Sequence, residues 1–298
     1  MYEKSSIIKP HITPVPLYVE LDHTKIEKEC AWLQECKVEE VFKELEMIIR
    51  EICKKLNISN KLGNKIFKGG PDDTSSTSNF ACNQSEKHLL LPIHGPDQLR
   101  ATIFLIGENV CQVEVSFKHN KSPGGIFRSN AISNIQWKLQ QLQDTGNYCV
   151  KAHYLIIKIL ERVAEIRSNK QFGIESGKLI NKTIEDVANY LTLARNSLTM
   201  PRKKSLMELD NFQPTKCFHP PLPQDYLLSV YISSNKLICA SYQVTPKPNG
   251  GQQLIVSQAE CVVPQFTDIL YVLSVAYNQL THLRNLIRVS LSSQSLDD

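Results

Sequence analysis

Four stretches of the chain place apolar residues three and four positions apart, the spacing of one face of an α-helix. In the first, about Thr24 to Leu56, the apolar positions are Val38, Val41, Phe42, Leu45, Ile48, Ile49, Ile52 and Leu56. Thr24 and Glu27 make an S/T-x-x-E capping box at its start. Glu39 and Lys43, Glu46 and Arg50, and Glu51 and Lys55 are i,i+4 pairs of favourable polarity on the other face. The second predicted helix opens at a capping box of Ser133 and Gln136 and runs to about Arg167. Its seam is Leu139, Leu142, Gly146, Cys149, His153, Ile156, Leu160 and Val163. The third, about Ser176 to Thr199, carries Ile180, Ile184, Val187, Leu191, Ala194 and Leu198, and Pro201 ends it. The fourth begins near Pro264, with Phe266, Ile269, Leu273, Ala276, Leu280, Leu283 and Ile287 in heptad spacing.

Between the helices the period changes to two. Leu99 to Ile106 and Val110 to Lys118 flank the short turn Gly107-Glu108-Asn109. The second of these strands alternates Cys111, Val113, Val115 and Phe117 with Gln112, Glu114, Ser116 and Lys118, as a sheet with one wet face requires. A second β region comprises Tyr226 to Ile232, Lys236 to Val244 and Leu254 to Val263. The pattern predicts an α+β fold: an elongated antiparallel four-helix bundle, leucine-zipper-like, with a small antiparallel β domain at one end. At about 1.5 Å per residue the longer helices span roughly 40–50 Å. Residues 1–23, with Pro10, Pro14 and Pro16, read as a flexible arm, 61–86 as a polar flexible loop and 291–298 as a tail. Segments 24–60, 133–200 and 264–290 are assigned to the helical domain, and 87–132 and 201–263 to the β domain. The short connection between helices two and three favours a hairpin within one chain, hence a monomer.

Composition narrows the function. A net charge of +4 over 298 residues is too small for the broad footprint of a dedicated nucleic-acid binder, so no nucleic-acid partner is expected. Nine cysteines, scattered and without a C-x-x-C pair, point to a reducing compartment. The first 20 residues hold no apolar core of a signal peptide. The longest apolar run, Ile269 to Tyr277, is interrupted by Ser274 and too short for a bilayer, so no membrane span is expected.

Motifs that carry chemistry are absent: no P-loop, no G-x-G-x-x-G, no H-E-x-x-H and no G-x-S-x-G. Cys217-Phe218-His219 is the one close Cys/His pair, without further ligands at metal spacing. His153 falls on a helical seam and reads as a core or boundary histidine. Arg202-Lys203-Lys204 is the one basic cluster, a solvated loop first and a lipid-contact or nuclear-localisation element second. His219-Pro220-Pro221-Leu222-Pro223 reads as a rigid connector, with peptide recognition as the alternative. A DNA-binding zipper would need a basic helix continuous with a heptad helix, and none is present. No catalytic, cofactor-binding or metal residue is assigned; neither an enzyme nor a cofactor is expected.

Several segments resemble one family in the same order along the chain. Gln136-Trp137-Lys138-Leu139-Gln140-Gln141-Leu142-Gln143-Asp144 resembles the opening of the long central helix of the Rogdi family. Leu191 to Thr199 followed by Pro201 is similar to the next helix. Pro221 to Asp225, Val230-Tyr231-Ile232 and Asn235-Lys236-Leu237 resemble the family's β hairpin, and Glu260 to Pro264 with Asp268 the approach to its last helix. Trp32-Leu33 and the run to Ile52 fit its first helix. The resemblance covers about residues 29 to 290 and departs only in the arm, the loop near 62–86 and the connection near Pro246 to Gly251. It implies a leucine-zipper-like helical domain with a β domain. It also implies the small subunit of the rabconnectin complex, the animal counterpart of the fungal RAVE complex, which promotes assembly of the vacuolar-type proton-pumping ATPase. The implied partners are the large scaffold subunits of that complex and cytosolic-sector subunits of the pump. The implied location is cytoplasmic, peripheral at acidic-organelle or synaptic-vesicle membranes. Family proteins at the nuclear envelope leave a second reading open, a zipper-type interaction factor. The matching motifs specify fold, so no partner-binding residue is carried over.

Overall fold

The structure, a computed structural model, describes residues 23–58, 86–94, 98–202, 204–246 and 252–292. The arm, the 61–86 loop, the tail and the Thr24–Glu27 side chains fall largely or wholly outside them. In chain order the elements are helices α1 (His23–Leu33) and α2 (Glu39–Lys55), joined through a π-helical turn (Gln34–Val38); strands β1 (Glu86–His94), β2 (Arg100–Ile106), β3 (Asn109–Lys118) and β4 (Ile126–Lys138); helices α3 (Gln140–Asn169), α4 (Ile174–Thr199) and the short α5 (Leu206–Asp210); strands β5 (Phe218–His219), β6 (Tyr226–Ser233), β7 (Lys236–Pro246) and β8 (Gln252–Val262); and helix α6 (Pro264–Ser292).

The expected elongated four-helix bundle with a small β domain is not the architecture. The strands form one antiparallel sheet of eight, in the order β5-β4-β3-β2-β1-β8-β7-β6, curled into a half-barrel. Strand β1 makes the difference. It pairs with β2 through Glu86 to Leu90 and with β8 through Leu91 to His94, welding two meanders into a single sheet. The run Leu89-Leu90-Leu91 shows no alternation, which hides this strand in the sequence. The curl brings Tyr226 of β6 onto Phe117 of β3, with ring centroids 4.4 Å apart and nearly parallel. Such a pair adds about 0.5–1.5 kcal/mol beyond its area burial.

A second correction concerns the start of the second long helix. Ser133 and Gln136 lie in β4, not in a helix, because β4 continues to Lys138 against β3. Trp137 pairs with Val110 and Lys138 with Asn109, past a register shift between Val110 and Gln112. Sheet pairing here overrides a local capping pattern. Helix α3 starts only at Gln140, after Leu139 donates its N–H to the Glu108 carbonyl at 2.9 Å.

The helical seams behave as the 3–4 spacing requires. Helix α3 packs along α4, α4 along α6, and α2 along both α3 and α6. Every seam residue of α4 and α6 is buried, and of the α3 seam only Leu160 is partly exposed. One apolar core joins these seams to the inward side chains of the sheet, among them Leu90, Ile103, Val113, Phe117, Leu228 and Leu237. The π turn has a visible cause. Cys30, Gln34, Val38 and Phe42 are all buried at intervals of four. A regular helix drifts about 40° per such step, and a wider π turn takes up the drift. Gln34, fully buried there, donates to the Gly173 carbonyl at 2.9 Å and accepts from Ser176 Oγ at 2.6 Å. It thereby ties the first helix to the α3–α4 turn.

Candidate functional site

The residues singled out in the sequence do not converge. Cys217 ends a 3₁₀ turn with its thiol 3.8 Å from the Gln213 carbonyl, and His219 sits exposed in β5 opposite Asn130. Among the described residues no group of three His, Cys, Asp or Glu side chains is close enough to hold a metal ion. The eight cysteines among them are free. Burial pushes the Cys53 and Cys239 thiols up to about 12, which leaves them poor nucleophiles.

His153 is buried on α3, facing Glu46 and Arg50 of α2. Its Nε2 lies 3.7 Å from Glu46 Oε1, too far for a hydrogen bond. Burial lowers its pKa, the nearby Arg50 charge lowers it further, and Glu46 opposes both. It packs in the α2–α3 contact, where burial disfavours its charged form.

The described part of the basic cluster is exposed, as a solvated loop requires, yet each side chain has a partner. Arg202 pairs with Glu208 at 2.8 Å. The Lys204 ammonium lies 4.3 Å from the centroid of the Phe212 ring, and burial lowers its pKa. Lys203 lies outside the described residues. Ser205 and Glu208 close a capping box on α5: Glu208 N donates to Ser205 Oγ, and Ser205 N to Glu208 Oε2. The connector His219 to Pro223 links β5 to β6 and is held by Ser129 Oγ, which donates to the Pro220 carbonyl.

The connector lies apart, but Arg202, Lys204, Ser205 and Glu208 form one wall of the largest cleft described, about 870 Å³, between the start of α3, the end of α4, α5 and the edge strand β6. Trp137, Leu139, Met200, Met207, Phe212 and Val230 give it apolar walls, and Lys138, Asp144, Arg202 and Lys204 a charged rim. Trp137 and Phe212 meet edge to face at 5.6 Å. Met200 and Met207 are 66% and 77% exposed at its mouth, polarisable side chains that adapt to varied partners.

Strand β6 is the free end of the sheet, and its register says which backbone groups it offers. The two-residue turn Ser234-Asn235 closes on the pair Ser233 and Lys236. Alternation along an antiparallel pair then aims the N–H and C=O of Ile232, Val230, Leu228 and Tyr226 away from β7. Gln141 takes those of Ile232: its Oε1 accepts from Ile232 N, and its Nε2 donates to Ile232 O, both at 2.7 Å. The same Nε2 donates to the Ser197 carbonyl of α4 at 2.8 Å. Tyr226 N donates to the Pro223 carbonyl. Val230 lines the cleft, so its outward amide faces the opening. The arrangement suits binding of a peptide segment by apolar burial plus strand-edge hydrogen bonds. Sequence reasoning missed it because its walls come from four separate segments. The one local signal was Leu206-Met207, apolar residues in a polar stretch after Pro201.

Comparison with known proteins gives concordant matches. A family model described as Rogdi leucine zipper containing protein matches residues 29–295. The chain is 34% identical over 265 residues to a Protein rogdi homolog of Caenorhabditis elegans, covering 88% of this chain and 87% of that one. It is 31% identical over 206 residues to Protein rogdi of Drosophila melanogaster, covering 69% and 72%. Against the Protein rogdi homolog of Homo sapiens it is 28% identical over 293 residues, covering 89% and 92%.

Proposed function

Because the chain belongs to the Rogdi family, we propose that it acts as a non-catalytic adaptor subunit of a RAVE-like (rabconnectin) complex that promotes assembly of the vacuolar-type proton-pumping ATPase. The observation that carries a contact-based role is the cleft beside β6, with an apolar floor, adaptable methionines at its mouth and a strand edge open at Val230. Its occupant in this reading is a segment of a large scaffold subunit of the complex. The protein then works at the cytoplasmic side of acidic organelles, without a membrane span of its own; among the described residues no helix is long and apolar enough to cross a membrane. The zipper-type reading draws less support. Ile184, Leu191 and Leu280, which such pairing would use, are already buried within the chain.

The test pairs a cell experiment with a surface variant. Cells lacking the protein should contain both pump sectors but join them less often. Their acidic organelles should be less acidic, with cytosolic-sector subunits shifted to soluble fractions. Met200→Glu with Met207→Glu should leave folding intact, since both side chains are exposed, and should reduce recovery of scaffold subunits on affinity purification at native expression. Normal organelle pH and sector association without the protein would sink the assembly reading.

A further inference from the structure

The outer face of the sheet, away from the cleft, carries an arrangement that the adaptor reading does not use. The register across β2, β3 and β4 aligns Arg100, Ser116 and Arg128 in one row. The next row aligns Thr102, Glu114 and Asn130, continued on β5 by His219. Both rows point away from the buried side chains of the same strands and line a groove of about 520 Å³. With neighbouring strands about 4.8 Å apart, the two arginine backbones stand roughly 10 Å apart across Ser116. Both guanidinium groups can reach the space above that hydroxyl.

Arg50, Arg162, Arg167, Arg202 and Arg288 each meet a carboxylate. Arg100 and Arg128 are both exposed, and neither is ion-paired among the described residues. Arg195 and Arg284 also show no ion pair among the described residues, and what sets Arg100 and Arg128 apart is that they share one groove. Glu114, the carboxylate nearest in the groove, accepts from Gln112 Nε2 at 2.9 Å. Two planar forks of donors around a hydroxyl, with the Asn130 amide beside them, match the three oxygens and double charge of a phosphate monoester. A single carboxylate would fill one fork and leave the other idle. A continuous polyanion, whether nucleic acid or an anionic bilayer, would set further negative charge over Glu114, one row along. Leu89, at the groove wall and 58% exposed, offers an apolar contact beside the charged centre.

We propose that this groove docks a phosphorylated serine or threonine on an extended segment of a partner protein. The phosphoryl group sits between Arg100 and Arg128 over Ser116, Glu114 faces a basic or N–H-bearing neighbour of the phosphoresidue, and Leu89 takes a flanking apolar side chain. Binding here adds regulation by a kinase to whatever contact the cleft makes, and it does not depend on what the cleft binds.

The test uses the full chain, immobilised, and three oriented peptide libraries fixed at phosphoserine, serine or glutamate. The phosphoserine library should be retained over the serine library by at least about tenfold, the size of one good charge-assisted contact, with basic and apolar residues selected near the fixed position. Arg100→Ala and Arg128→Ala should each remove about that enrichment, while unfolding midpoints stay unchanged because both side chains are exposed. Arg128→Lys should recover part of it, since a point charge replaces a fork. Equal retention of the glutamate library, equal retention of the serine library, or enrichment that survives both alanine variants would overturn the proposal. So would binding to vesicles of phosphatidylcholine with phosphatidylinositol phosphate through the same arginines in the absence of phosphopeptide selection, which would make the ligand a lipid headgroup.

Discussion

Leucines in two parts of this molecule live in different surroundings. In the seams of α4 and α6, Leu191, Leu280 and Leu283 are at most 1% exposed. On the outer face of the sheet Leu89 and Leu91 are more than half exposed, although Leu90 between them is fully buried. Residue type is identical, and what differs is whether the period of the element brings the side chain to a partner. A helical stripe at intervals of three and four meets another helix on every turn. A strand turns alternate residues outward, and nothing among the described residues covers β1 on that side. Hydrophobicity alone therefore misreports burial here, while periodicity reports it well.

The contrast can be broken most severely at Leu191. Leu191→Ala should destabilise the fold by roughly 2–5 kcal/mol, lost transfer energy plus a cavity, and denaturant unfolding would show a lowered midpoint at nearly constant slope. An unmoved midpoint would mean that the seam is not packed as described. Next comes Gln34, among the described residues the one polar side chain fully buried along the first helix. Gln34→Ala removes the two hydrogen bonds that cross to the α3–α4 turn, while the Gly173 carbonyl and the Ser176 hydroxyl keep their partners within that turn; at about 0.5–1.5 kcal/mol for each lost bond it should cost roughly 1–3 kcal/mol in the same measurement. Faster amide exchange around residues 170–176 would locate the damage at the α3–α4 turn.

Acidity probes the polar exception within the helical contacts. His153 has a folded-state pKa below its ordinary value of 6.5, and His88 is shifted the same way by burial. The unfolded chain takes up these protons first as pH falls. Stability is therefore unaffected above about pH 6.5 and declines as pH drops below it toward the lowered folded pKa values. Urea midpoints at pH 7.5 and 5.5 should show the decline, and His153→Gln should make it shallower. An equally steep decline in the variant would remove His153 from the account. The smallest effect is expected on the sheet face: Leu89→Ser should change stability by no more than about 0.5 kcal/mol. A larger loss would show that this face is covered in solution.

The parts of the fold legible in the sequence are those in which neighbours along the chain carry the signal. Leu139 to Val163, Ile180 to Leu198 and Phe266 to Ile287 repeat one face over many turns, and burial follows them almost residue by residue. The hairpin of β6 and β7 was legible for the same reason, with Ser233 to Lys236 closing a two-residue turn. What escaped depends on pairing between distant segments. Leu91 meets Glu260 across most of the chain, so neither the length of the sheet nor its curl is written locally. Ile126 to Lys138 carries a capping pattern, yet β3 offers it a longer hydrogen-bonded partner than one helical turn can. Arg100 and Arg128 stand 28 positions apart, and only the two-strand register through Ser116 makes them a pair. The cleft walls Trp137, Met200, Phe212 and Val230 have no common motif at all.

Gln141 has a consequence for how copies of this protein coexist at high concentration. A sheet with a free edge invites another sheet to add to it, strand on strand, and such growth needs several consecutive backbone pairs. At the β6 end, the amide of Gln141 occupies Ile232 and the Pro223 carbonyl occupies Tyr226 N, so an incoming strand finds no long run of open groups. At the other end, β5 is two residues long and runs straight into Pro220 and Pro221, which lack the N–H that an added strand would need. Short strand-edge contacts remain available to a specific partner, while neither terminal strand offers a long run of open groups for strand-on-strand growth.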